Sequence, residues 1–149
     1  MEEKVNKEET QRIYKLYNNF IRNVEIVDVY ILDSKISRKL LFEDMSKNLK
    51  LHYTDKIEYK LFDKKIIYKI SFNLKTEPED EFKIEIDLAI TYILKSELDS
   101  NITDDEKTKI FELFKRNAKL NGWPYIRTYV NDFTSKMSIH IPPLPVSYL

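Results

Sequence analysis

A single glycine and no cysteine stand among the 149 residues of this chain. Without cysteine there is no disulfide, no thiolate nucleophile and no Cys-bound zinc or iron–sulfur centre. With one glycine, Gly122, there is no phosphate-cradling loop of the P-loop or dinucleotide type. Charge of one sign is lacking too: 25 Lys and Arg balance 25 Asp and Glu. Zero net charge gives little sequence-independent attraction to nucleic acid or an anionic membrane. No run reaches the roughly 18 apolar residues of a membrane span. The opening "MEEKVNKEET" is charged and has no apolar signal core. The expectation is a cytoplasmic protein of one domain around a single core, with no membrane or nucleic-acid partner.

What is present is patterned. Asn6 reads as the cap of a first helix, with Glu9 at capping-box spacing and Ile13, Leu16, Tyr17, Phe20 and Ile21 on one face. "VEIVDVYIL", Val24 to Leu32, is apolar at both parities. That predicts a strand covered on both sides or one at a subunit contact. The following "DSKISRKLLFEDMSKN" breaks the alternation and gathers Leu40, Leu41, Phe42 and Met45, which reads as a loop with apolar side chains. Alternation then becomes regular: Leu49, Leu51, Tyr53, Ile57, Tyr59 and Leu61 on odd numbers; Ile66, Tyr68, Ile70, Phe72 and Leu74 on even ones; Phe82 to Leu94 even again. Short polar connections make these strands an antiparallel meander with one apolar and one charged face.

The remainder is helical. "TDDE", residues 103–106, is a capping box, and Ile110, Leu113, Phe114 and Ala118 continue an apolar stripe. Gly122 reads as the left-handed stop of this helix, and Pro124 as the first turn of another that buries Ile126, Tyr129, Val130, Phe133 and Met137. Pro142, Pro143 and Pro145 predict an extended tail. The element order is that of an α+β protein.

Catalytic groupings are scarce. His52 lies on the wet face of a regular strand and His140 follows the last helix, with no serine-plus-acid setting around either. Asp104, Asp105 and Glu106 are explained by helix capping rather than by a metal. Glu81, Glu85 and Asp87 share a solvated strand face with Lys65 and Lys69 as cross-strand partners. Lysines and aromatics fall on opposite faces of the sheet, whereas a single-strand binder needs them together. An enzyme is not expected, nor is a cofactor or a metal.

The segment "WPYIRTYVNDFTSKMSIHIPPLPV" resembles the SecB family of protein-export chaperones in its aromatic-Pro-Tyr-x-Arg helix opening, its apolar helix and its closing proline-rich segment. Upstream, "NVEIVDVYILDSKI" is similar to the family's first strand, Leu40–Met45 to its crossover loop, and residues 49–94 to its long strands. The resemblance spans about residues 22–146. It implies one domain over 1–149 and a four-stranded antiparallel sheet with helices packed on one face; the N-terminal helix at about 6–22 is an addition to the family's pattern and takes no role from it. It further implies a homodimer or homotetramer and an ATP-independent holdase that binds unfolded polypeptide for protein export and hands it to SecA. Lys65, Lys69 and Lys75 neutralise the acidic outer face on which SecA delivery depends in that family. SecB-like chaperones of toxin–antitoxin modules, whose client is an antitoxin, need only the groove. A non-chaperone oligomeric interaction subunit is a further alternative. The residues expected to bind client are Leu40, Leu41, Phe42, Met45, Ile84, Ile86 and Leu144. Those expected at an oligomer interface are Ile126, Tyr129, Val130, Phe133, Val27 and Val29.

Overall fold

A computed structural model describes residues 2–38, 50–77, 82–137 and 144–145 of the chain. Its elements are α1 (Glu2–Asn23), β1 (Val24–Arg38), β2 (Lys50–Phe62), β3 (Lys65–Glu77), β4 (Phe82–Leu94) and α2 (Asp104–Lys136). The strands form one antiparallel sheet in the order β1-β4-β3-β2. The meander expected from alternation is β2-β3-β4, and β1 adds to its far side along β4. Asp63 makes the tight β2–β3 turn in the left-handed region (φ 51°), a conformation that a short polar side chain tolerates. The fold is α+β, as the sequence predicts.

One face of the sheet is the core. Tyr68, Ile70, Phe72 and Leu74 on β3, and Phe82, Ile84, Ile86, Leu88, Ile90 and Tyr92 on β4, are almost fully buried. Helix α2 packs on this face against β2, β3 and β4, and α1 packs on α2. The side chain of Phe20 joins the two helices through edge contacts with Phe111 and Phe114. Burying each such side chain is worth roughly 1.5–3 kcal/mol, so this single interface dominates stability.

The two-sided apolar pattern of "VEIVDVYIL" does not come from cover on both sides within the chain. Register shifts fall between Ile26 and Asp28 and between Ile31 and Asp33. Each is a bulge, which inserts a residue and flips the parity that follows. Val24 and Ile26, then Val29 and Ile31, then Ile36 therefore all lie on the helix-covered face, opposite Leu94, Tyr92, Ile90, Leu88 and Ile84. The inserted Val27 and Leu32 are about half exposed, at 49% and 51%. β1 is not sandwiched.

Of three helix expectations, one is met and two are corrected. Helix α1 begins at Glu2, so Asn6 is not its cap; the Asn6 carbonyl instead accepts from the Thr10 hydroxyl inside the helix. The Thr103 capping box is present in both directions. Gly122, however, stops nothing: α2 is one helix of 33 residues that runs through Gly122 and Pro124. Gly122 has no positive φ. A Cβ at this position would lie 2.6 Å from Ile70 Cδ1 and 3.2 Å from both Ile90 Cδ1 and Leu88 Cδ2. The glycine is there because the helix touches the sheet at that point.

Gly122→Ala sets a helix-propensity gain of about 1 kcal/mol against an overpacking cost of about 1–3 kcal/mol, and chemical denaturation should show a net loss. In an Ile70→Val background, which removes the crowding Cδ1, the same substitution should become neutral or stabilising. Equal losses in both backgrounds would contradict the contact.

The N-terminal half of α1 is tied to α2 by Arg12 Nε, 2.8 Å from Glu106 Oε2. Hydrogen bonding to Arg12, then to the Thr103 backbone, holds the Glu106 carboxyl down at about 2. Because the folded value is depressed, its contribution is present above the ordinary carboxylate range and lost as pH falls towards about 2. Acid titration followed by hydrogen exchange should loosen α1 across that window. Glu106→Gln should remove that part of the pH dependence.

Candidate client-binding surface

β1 and β2 are opposite edges of the sheet, yet they are consecutive in the chain. Residues 39–49 join these two edges in sequence, from Arg38 to Lys50. Three strand spacings of about 4.8 Å separate those edges, well within reach of such a connection. Leu40, Leu41, Phe42 and Met45 belong to this connection and lie outside the described residues.

Near these strand ends the helix-covered face carries a group of half-buried apolar residues. Ile36 on β1, Leu51 and Tyr53 on β2, and Tyr129, Phe133 and Met137 on α2 are half-buried and pack against the core. Tyr129 and Phe133 stack with ring centroids 6.2 Å apart and planes 21° from parallel. Trp123 sits between them and the sheet strands in sequence terms, and in space it lies against Phe72 and Tyr53, at 5.8 and 6.3 Å. Two hydrogen bonds fix the chain where it leaves α2: Arg38 Nη1 donates to the Met137 carbonyl, and Trp123 Nε1 donates to the Pro145 carbonyl at 2.7 Å.

The expected client residues divide. Ile84, Ile86 and Leu144 are 0%, 1% and 7% exposed. Ile84 faces Ile36 and Leu74 across the ladders, and Ile86 faces Ser34 and Phe72. They belong to the closed core beneath α2 and the tail, so they support an apolar surface rather than line it. Among the expected interface residues, Ile126 and Val130 are likewise core, at 2% and 0%. They face inward because the helix stripe that meets the sheet passes through Gly122, Ile126 and Val130 at four-residue steps. Tyr129, Phe133 and Val29 are half-buried, with Val29 on the inner face opposite Ile90. Val27 is exposed. The half-buried Leu51, Tyr53 and Ile36 and the Trp123 donor were not among the expected site residues. Parity already placed Tyr53 on the apolar face, but its end-of-strand position beside α2 depends on the fold.

Among the described residues, no catalytic arrangement competes with this surface. Tyr68 donates to the Phe111 carbonyl at 2.8 Å, and burial pushes its phenol well above the ordinary range. Burial likewise raises Tyr92 to about 12, against the opposing hydrogen bond from Asn121 Nδ2 at 2.8 Å. Both are structural partners within the core. On the outer face the expected lysine pairing is rearranged: Glu58 takes both Lys56 and Lys69, at 2.8 and 3.5 Å, while Glu85 pairs with Lys83 of its own strand at 2.8 Å. Glu81 lies outside the described residues. Among the described residues no group of His, Asp or Glu is placed to hold a metal ion. Among them, too, no helix is long and apolar enough to cross a membrane.

Comparison with solved structures places this geometry. A Mycobacterium tuberculosis SecB-like chaperone, solved in complex with a ChAD peptide from the HigA1 antitoxin, superposes with a TM-score of 0.72. The alignment covers 93% of this chain and 99% of that one, at 17% identity. The fold is SecB-like. A Streptococcus agalactiae protein of unknown function aligns over 84% of this chain and 97% of its own, at 13% identity and a TM-score of 0.45. No protein-family model matches the sequence. No curated protein matches it either. In this SecB-like fold, α2 is the helix layer over the sheet.

Proposed function

We propose that this SecB-like protein is an ATP-independent holdase whose client is the unfolded segment of an antitoxin. The observation that carries the reading is the half-buried apolar strip of Ile36, Leu51, Tyr53, Tyr129, Phe133 and Met137, left at one end of a SecB-like fold. Support for the client class comes from the SecB-like chaperone of similar fold that was solved with an antitoxin peptide. Binding by such a strip is hydrophobic and weakly selective, because aromatic and thioether side chains provide area without a fixed hydrogen-bond pattern. It needs no nucleotide and no catalysis. Leu40, Leu41, Phe42 and Met45, on the connection that starts beside Ile36 and ends beside Leu51, complete the client surface in this reading. Delivery of export clients to SecA is the weaker alternative, since Lys56, Lys69 and Lys83 each sit on an acid of the outer face.

The test is suppression of aggregation of an unfolded antitoxin and of an unrelated unfolded protein, without nucleotide. Leu41→Ser with Phe42→Ser should weaken client binding about tenfold or more, since each side chain covered by client is worth roughly 1.5–3 kcal/mol. Melting temperature should change little. Binding should persist in moderate salt because exposed charge pairs do not carry it. Undiminished holding by the double variant would remove the connection from the site.

Oligomerisation belongs to the same proposal. Val27, Leu32 and Tyr30 leave apolar area on the β1 edge, at 49%, 51% and 37% exposure. Light scattering should give a multiple of 18.0 kDa. Val27→Asp should dissociate the assembly while circular dichroism stays unchanged, because the residue is inserted in a bulge and is not part of the core. A monomeric parent at micromolar concentration would refute this.

A further inference from the structure

Leu144 and Pro145 are the two described residues of the proline-rich tail, and both are seated. Leu144 is 7% exposed and belongs to the core cluster that contains Trp123 and Phe72. Pro145 itself is exposed, while its carbonyl accepts from the Trp123 indole at 2.7 Å. The indole ring is 3% exposed and is flanked by Phe72 and Tyr53. An aliphatic side chain thus goes in, a carbonyl is read by one buried N–H, and a proline ring faces out.

That arrangement has a definite selectivity. A proline-containing segment extends a sheet edge poorly, because each proline lacks a ladder donor. Proline keeps its neighbours extended at low entropic cost and leaves carbonyls free for side-chain donors. Aromatic-lined grooves take proline-rich segments for this reason. The buried indole N–H in turn requires an acceptor, and an empty seat would leave it unpaired. We infer that Trp123, Phe72 and Tyr53 form a recognition seat for an aliphatic-Pro pair in an extended client segment, and that Leu144–Pro145 of the chain itself occupies the seat as an internal competitor. The inference rests on the chaperone reading and adds a sequence preference to it: clients with a Leu-Pro or similar pair displace the tail, and clients without one bind only the apolar strip.

Trp123 is the one tryptophan in the chain, so its emission reports this seat alone. The probe is a synthetic peptide of residues 138–149, SIHIPPLPVSYL, carrying a nitroxide that quenches indole fluorescence on close approach. The control is the same peptide with Ser-Ala in place of both Ile-Pro and Leu-Pro. Quenching of the full chain should saturate with the first peptide, be reversed by its unlabelled form, and be absent with the control up to millimolar concentration. In Leu144→Ser, where the internal competitor is weakened, half-quenching should need at least about tenfold less peptide, which is about 1.4 kcal/mol. If that variant does not fold, the contrast between the two peptides on the parent chain decides the matter. Equal quenching by both peptides, or none by either, overturns the seat. Aggregation suppression measured on the same samples separates the two readings. A chain that holds clients but shows no Leu-Pro contrast is a chaperone without this seat. A chain that shows the contrast but holds no client keeps the seat and loses the chaperone function.

Discussion

The close approach of α2 to the sheet at Gly122 is the constraint on which the rest of the structure depends. At that residue the helix backbone comes within side-chain contact of Ile70, Leu88 and Ile90, where a Cβ would crowd their terminal methyls. Interiors are packed to crystal-like density, so a contact this tight fixes the height of the whole helix above β3 and β4. The flanking residues follow from it. Asn121 reaches the Tyr92 hydroxyl, and Trp123 reaches Phe72, Tyr53 and the tail carbonyl. A helix held this firmly can run through Pro124, whose missing N–H costs it one internal bond.

A second constraint is the sheet order. Placing β1 beside β4, rather than beside β2, puts Arg38 and Lys50, consecutive strand ends in the chain, on opposite edges of the sheet. Near those strand ends Ile36, Leu51, Tyr53, Tyr129, Phe133 and Met137 are half-buried. A strip of this kind suits a partner without native structure. It offers area and a few aromatic rings, and little that requires a particular sequence. At the opposite end, α1 is held to α2 by Phe20 and by the Arg12–Glu106 pair, away from the strip.

The edges are handled differently from each other. β1 carries two bulges, and β2 carries none but alternates Lys50, Lys56 and Lys60 along its outer face. β2 also turns one carboxylate inward: Asp55 breaks the apolar parity of its strand and meets Lys119 of α2 at 2.9 Å. Inward charges and edge lysines both discourage uncontrolled strand addition. A protein that binds unfolded chains through an apolar strip has particular need of such protection, since its clients are themselves rich in unpaired strand.

Local pattern was enough for the three regular strands, the Thr103 capping box, the α+β class and the side of the sheet on which Tyr53, Tyr68 and Phe72 lie. Each depends on neighbours a few residues away, and a period of two or a cap signature is visible at that range. The SecB-like fold was legible from the C-terminal segment and from the order of elements. What the pattern could not settle involved contacts distant in the chain. β1 seemed apolar on both faces because bulges against β4 reset its parity, and bulges exist only once the partner strand is in place. Gly122 followed by Pro124 carries the local signature of a helix stop, but contact with Ile70, Leu88 and Ile90 requires the glycine and keeps the helix whole. Ile84, Ile86, Ile126 and Val130 are apolar whether they line a groove or fill a core. Only the stacking of α2 on β4 decided for the core, because burial belongs to the pair of surfaces and is not written in either one.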